Sequence, residues 1–226
     1  MVSHPLPFGG IRKPSSYLTL QALLTSTPTF TVGINNLNEI NNSVSDYQQS
    51  VGGYPVSWGY WGEFSSTLSS RNITNSTSSG LIWATYTPTD PNIVSARTGS
   101  LSRYETISDS LVSATKGEVS NLSVQMDINF DTGNVTNGAL SANTPTETWV
   151  AVFDGQIEEG DLDLQLNGAS VIDSDPSTPS VARDADGFIA GDFVGENAES
   201  ILGAFGLSET ADPSNHIEGV FIVEEK

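Results

Sequence analysis

The stretch "GFIAGDFVGENAESILGAFGL", Gly187 to Leu207, decides the fold. Apolar and small residues alternate, an acidic turn at Gly195-Glu196-Asn197 interrupts them, and the alternation resumes. A period of two is the side-chain repeat of a strand with one buried face. Two such runs joined by a glycine-bearing turn predict a hairpin. The chain then ends in "HIEGVFIVEEK", a third glycine-bearing strand. Glycines inside successive strands mark a sheet that bends tightly, because a Cβ crowds the bend.

The same period extends back towards Val51. "GEVSNLSVQMDINF" (Gly117–Phe130) puts Leu122, Val124, Met126, Ile128 and Phe130 on one face, with Ser, Gln, Asp and Asn opposite. "DTGNV" turns, and "NVTNGALSA", "ETWVAVFDG" and "DLDLQLNGASV" follow at hairpin spacing. "LIWATYT" (Leu81–Thr87) and "SLSRYET" (Ser100–Thr106) read as strands, with "TPTDPN" as a turn between them. Ser65–Gly80 and Asp173–Gly187 read as polar loops. Helical patterns do not separate the strands, which argues against a parallel sheet. Nine or ten antiparallel strands joined by short turns either stack or close, and closure removes both edges. The expected fold is all-β: an antiparallel up-and-down barrel of about eight strands over 51–226, each strand burying one face, preceded by an arm, 1–50, with little regular structure.

In that arm, Pro5, Pro7, Gly9, Gly10 and Pro14 forbid regular structure at the start. Ser16–Leu24 reads either as a short helix or as a strand, and Leu37, Ile40, Val44 and Tyr47 step along one weak helical face. Fifty such polar residues hold no core alone. They pack on the barrel, stay loose, or link copies of the chain into a homo-oligomer by strand addition.

Composition narrows function. The net charge is −19, from 27 acids against eight Lys and Arg. Most of the acids follow Trp149, where only Arg183 and Lys226 oppose them. Such a chain repels phosphate backbones and anionic membrane surfaces, so no nucleic-acid partner is expected. The absence of Cys excludes disulfides, thiol nucleophiles and zinc-thiolate sites. No apolar run reaches the length of a membrane-spanning helix, and the N-terminus lacks the apolar core of a signal peptide.

The closing strands resemble those of the C-terminal barrel of transferrin-binding protein B-like proteins. Gly187, Gly191, Phe193, Gly195, Ala198, Gly203, Phe205, Gly219 and Phe221 occupy the places of that pattern. "VSWGYWGEF" (Val56–Phe64) looks like the Trp-Gly-x-Trp signature of related surface-lipoprotein and FecR-associated barrels, and "INFDTGNVTNGAL" fits the strand, turn and partner strand between. The resemblance implies a non-enzymatic binding protein, secreted or on the bacterial outer-membrane surface, that captures haem or an iron carrier, a protein partner, through loops at one barrel end. It also implies His216, or failing that His4, as an axial haem-iron ligand. The alternative is a structural subunit of an extracellular assembly linked through residues 1–50.

Other residues suggest chemistry of their own. Trp58, Tyr60, Trp61 and Phe64 read as core, or as an aromatic platform for a protein, glycan or porphyrin. Asp184 and Asp186 are the best Ca²⁺ candidates, since hard oxygen ligands suit that ion, although the spacing is not that of an EF-hand. With two histidines and no Gly-x-Ser-x-Gly elbow, a Ser-His-Asp hydrolase is not expected. The binding loops are expected at Trp58–Phe64, Ser65–Gly80 and Asp173–Asp186.

Overall fold

The computed structural model describes residues 16–19, 43–51, 53–61, 81–106, 111–116, 119–174 and 181–226. Strands β1 (Ser16–Thr19), β2 (Ser43–Val51), β3 (Tyr54–Trp61) and β4 (Leu81–Tyr86) form an antiparallel sheet in the order β1-β4-β3-β2. A short helix, α1 (Pro91–Ala96), follows. Then come β5 (Ser102–Thr106), β6 (Leu111–Ala114), β7 (Asn121–Asn129), β8 (Asn134–Asn143), β9 (Glu147–Glu158), β10 (Asp161–Asp173), β11 (Ala182–Val194), β12 (Ser200–Glu209) and β13 (His216–Glu225).

From β7 to β13 each strand pairs with the next, antiparallel throughout. Beyond β12, β13 also pairs with β5 through Val223–Glu225 and with β6 through Ile217–Val220. Strands β5 and β6 thus share one stave, and the sheet closes as an eight-stranded antiparallel barrel. The period-two reading holds in β7: Val124, Met126 and Ile128 are all fully buried. Strand β8 carries one extra residue near Asn137, whose φ of 53° marks the bulge.

A barrel of eight strands has an interior just wide enough for side chains to fill. Trp149, Tyr104, Phe205, Phe221, Met126 and Ile217 lie at its centre. The Phe221 ring lies over Gly203, where a Cβ would stand 2.1 Å from its Cζ. Glycine there is a packing requirement: the ring fills the space a side chain would take.

Five expectations change. Val44 and Tyr47 lie on a strand, β2, rather than on a helical face, because β2 pairs along its length with β3; Leu37 and Ile40 lie outside the described residues. Strands β3 and β4 are not staves. Their sheet packs on the outside of the barrel, with Val56, Ala84 and Tyr86 against Val194, Leu202, Ala204, Val220 and Ile222. Strands β12 and β13 are therefore buried on both faces, where one exposed face was expected. The turn "TPTDPN" holds the start of α1, which Asp90 caps by accepting from Asn92 N at 2.8 Å, with Pro91 at the first position. Finally, of the loop expected at Asp173–Gly187, 182–187 is strand, because Arg183 and Ala185 turn inward and hold β11 to the end of the barrel, while 175–180 lies outside the described residues.

Two outcomes follow for stability. Gly203→Ala drives a Cβ into the fully buried Phe221 ring and should cost roughly 1–3 kcal/mol in urea denaturation. Gly168→Ala, whose Cβ would meet nothing closer than Val152 Cγ2 at 4.0 Å, should be near neutral. On the outer face of β13, burial pushes the Glu218 carboxyl from 4.5 up to about 7. Between those values the folded chain keeps a proton that the unfolded chain has released, so stability falls as pH rises through this window. Glu218→Gln should flatten that decline, by roughly 3 kcal/mol at most, in thermal melts from pH 4 to pH 8.

Candidate functional site

Successive turns of a meander alternate between the two ends of a barrel. The turns at 131–133, 159–160 and 195–199 therefore share one end, and those at 144–146 and 210–215 share the other, together with the end of β10 and the start of β11. Helix α1 lies over the first end. Its Val94 is buried in the barrel core, and the backbone before it is pinned by Thr89 N donating to Phe193 O at 2.8 Å and Thr89 Oγ1 to Gly195 O at 2.7 Å.

Arg97, immediately after α1, locks this end. Its Nη1 donates to Ala198 O at 2.7 Å, Asn197 O at 2.9 Å and Tyr104 Oη at 3.1 Å. Its Nη2 donates to both Glu225 oxygens at 2.8 Å, and its guanidinium stacks 4.0 Å from the Phe130 ring centre. Tyr104 Oη in turn donates to Ala198 O at 2.6 Å. Burial opposes ionisation of Glu225, but hydrogen bonds from Ser102 and Arg97 hold its carboxyl below the usual range. One cation thus joins the helix, the turn at 195–199 and the last strand. Beside it opens a shallow cleft of about 500 Å³, lined by Asn92, Ile93, Ala96, Asn197 and Glu199. Ile93 and Leu101 stand exposed at this end, Leu101 by 68%.

The opposite end is closed by charge. Glu147, 1% exposed, accepts from Lys116 Nζ at 2.7 Å and from Asn215 Nδ2 at 3.1 Å, and pairs with Arg183 Nη2. Arg183 also donates to Asp173 at 2.6 Å and lies 3.0 Å from Glu209. Glu147 Oε2 and Trp149 Nε1 are buried without a hydrogen-bond partner. These residues left a legible signal that composition alone hid. Glu147 is in phase with Trp149, Ala151 and Phe153, Glu209 with Leu207 and Phe205, and Arg183 with Ala185 and Ile189. A charge in phase with a buried face has to find an opposite charge inside. Arg97 left a weaker signal, a basic residue just past a short Asp-Pro helix.

The residues singled out from sequence fall elsewhere. Trp58, Tyr60 and Trp61 lie on β3 in the flanking sheet, with backbones paired to Tyr47, Val44 and Ser43. His4, Phe64 and the expected loop Ser65–Gly80 lie outside the described residues. Asp184 and Asp186 are exposed on the outer wall of β11, within a ladder rather than a loop. Among the described residues, no group of three or more His, Asp or Glu side chains is placed to hold a metal ion. His216 starts β13 at the charged end, 8% exposed, its Nδ1 3.1 Å from Ser214 O. The register sets Asp186, Ser208 and His216 in one row across three strands. Ser208 stands between the other two, which separates His216 from Asp186 by two strand spacings, about 9.6 Å. A triad needs the histidine in the middle. His216 and the cleft lie at opposite ends, so together they form no haem pocket.

These features define a small closed antiparallel barrel, plugged at both ends, with a second sheet on its flank. The chain is similar in fold to isotype 1 transferrin-binding protein B from serogroup B Neisseria meningitidis, at 17% identity and a TM-score of 0.45, over 80% of this chain and 36% of that one. It is likewise similar to a transferrin-binding protein B double mutant, a vaccine antigen from Haemophilus parasuis, at 13% identity and a TM-score of 0.38, over 81% and 37% of the two chains. This chain spans little more than a third of either structure. No protein-family model matches the sequence, and no curated protein does.

Arg97→Ala should leave the half-buried Glu225 carboxylate without its cation and free α1 from the barrel. We expect a loss of roughly 2–4 kcal/mol. Amide exchange at Ile93 and Val94, whose N–H groups donate to Asp90 O, should accelerate more than exchange in β9. Equal acceleration throughout the barrel would refute a local latch.

Proposed function

We propose that this chain is a non-enzymatic binding protein, secreted or exposed on a bacterial surface, that engages a protein partner through the α1 end of its barrel. An iron-carrying protein is the first class to test. The observation that carries this reading is the filled interior. Side chains from every stave meet at the centre, so recognition is left to the outside. On the outside, the α1 end offers exposed Ile93 and Leu101 beside a cleft with Asn92, Asn197 and Glu199 at its margin. An apolar patch within a polar rim is the anatomy of a protein interface. The net charge of −19 favours a partner with a basic surface and speeds encounter at low salt. A protein carrier suits this surface better than free haem, because the cleft offers no histidine or methionine ligand to iron.

The test is affinity capture from the native medium on immobilised protein, with the double variant Ile93→Asp, Leu101→Asp beside the original. Both positions are exposed, so the variant should fold. Partner capture should fall at least tenfold, the loss expected when a polar group replaces a buried apolar anchor. Undiminished capture by the double variant would show that the α1 end is not the contact.

A further inference from the structure

We propose that the charged end of the barrel forms an intramolecular isopeptide bond between Lys116 and Asn215. The register brings the two together. Strands β6 and β13 pair with Ala114 opposite Ile217, and Thr115 N donates to His216 O at 3.0 Å. Lys116 and Asn215 come next, in the turns just past the paired residues, and their side chains meet at Glu147.

Glu147 supplies the third group. Its Oε1 accepts from Lys116 Nζ at 2.7 Å and from Asn215 Nδ2 at 3.1 Å, so amine and carboxamide meet on one oxygen. Asn215 and Glu147 are 2% and 1% exposed, so the amide is shielded from water. Thr115 Oγ1 lies 3.1 Å from Asn215 Oδ1, the oxygen on which charge grows when the amide carbon is attacked. Glu147 Oε2 is buried without a partner. An unpaired carboxylate oxygen beside an amine and an amide is placed to take and return a proton.

The step balances without an oxidant or a cofactor. Lys116 gives a proton to Glu147, and the neutral amine attacks Cγ of Asn215. A tetrahedral intermediate forms with its oxyanion beside the Thr115 hydroxyl. The attacking nitrogen gives up its second proton through Glu147, the bond from Cγ to Nδ2 breaks as Nδ2 takes both protons, and the nitrogen leaves as ammonium. One carbon–nitrogen bond replaces another, and Glu147 returns to carboxylate. The lysine side chain is 45% exposed, which gives the ammonium a way out. The bond would close a loop holding most of the barrel and tie β6 to the entry of β13. In a chain without cysteine it would serve as a disulfide does, by constraining the unfolded state.

Intact-mass measurement of the full chain under denaturing conditions tests this. The folded and purified chain should be lighter than its sequence by one ammonia. Tryptic digestion should yield a branched fragment joining the Lys116 and Asn215 peptides, with no cleavage after Lys116. Lys116→Arg keeps a cation on Glu147 and should fold, as circular dichroism will check, but should show the full sequence mass. A wild-type chain that keeps its full mass after prolonged incubation overturns the proposal. So does a loss of ammonia that persists in Lys116→Arg, since that marks a succinimide at Asn215.

Discussion

The structure depends on β13 finding two antiparallel neighbours. It takes β12 along one side over Ser208 to Ser200, and β5 with β6 along the other. Once both sides are paired the sheet has no open edge, and the diameter of the barrel is fixed by the number of strands. Fixed diameter means fixed interior volume. Trp149, Phe205 and Phe221 fill that volume, and Gly203 is a glycine because Phe221 occupies the place of its side chain. The core packing is thus a consequence of closure.

Closure leaves two open ends, and the chain plugs them by different chemistry. At one end a single guanidinium satisfies two carbonyls, a phenol and a carboxylate, and stacks on an aromatic ring. At the other, Glu147, Arg183, Glu209 and Asp173 interlock with Lys116 and Asn215. Buried ion pairs of this kind repay their desolvation poorly, but breaking one partner leaves an exposed cost in the other. They fix which strand end faces which, so they contribute register more than net stability. With both ends stopped and the centre solid, the chemistry available to a partner lies on the rims and the outer wall.

Much of the barrel was legible because its signal is local. The alternation in 121–130, the hairpin at 187–207 and the last strand are each set by a period of two along a few residues, and each appears as a strand where it was read, although β12 and β13 are buried on both faces. The candidate site was less legible. Arg97 meets residues about a hundred positions away, at 197, 198 and 225, and nothing near it in the sequence announces them. The acids at 147 and 209 were visible as charges in phase with buried faces, but only the closed sheet sets them around Arg183. Asp184 and Asp186 drew attention as a loop cluster. They stand instead on a strand wall, because Arg183 and Ala185 between and beside them turn into the barrel.

The sequence by itself determined that the chain is all-β, antiparallel and acidic, since alternation, turn residues and the ratio of acids to bases are properties of short segments and of sums. Its alternation predicted one exposed face for β12 and β13, whereas both are buried on both faces, through Leu202, Ala204, Val220 and Ile222. The tertiary structure alone decided what covers that second face, namely β3 and β4 of the flanking sheet, with Tyr86 donating to Asp192. It alone decided that Lys116, Glu147 and Asn215 come together. Contacts of that kind join segments whose separation along the chain is large, and the closing of the barrel, which no single segment encodes, is what brings them into reach.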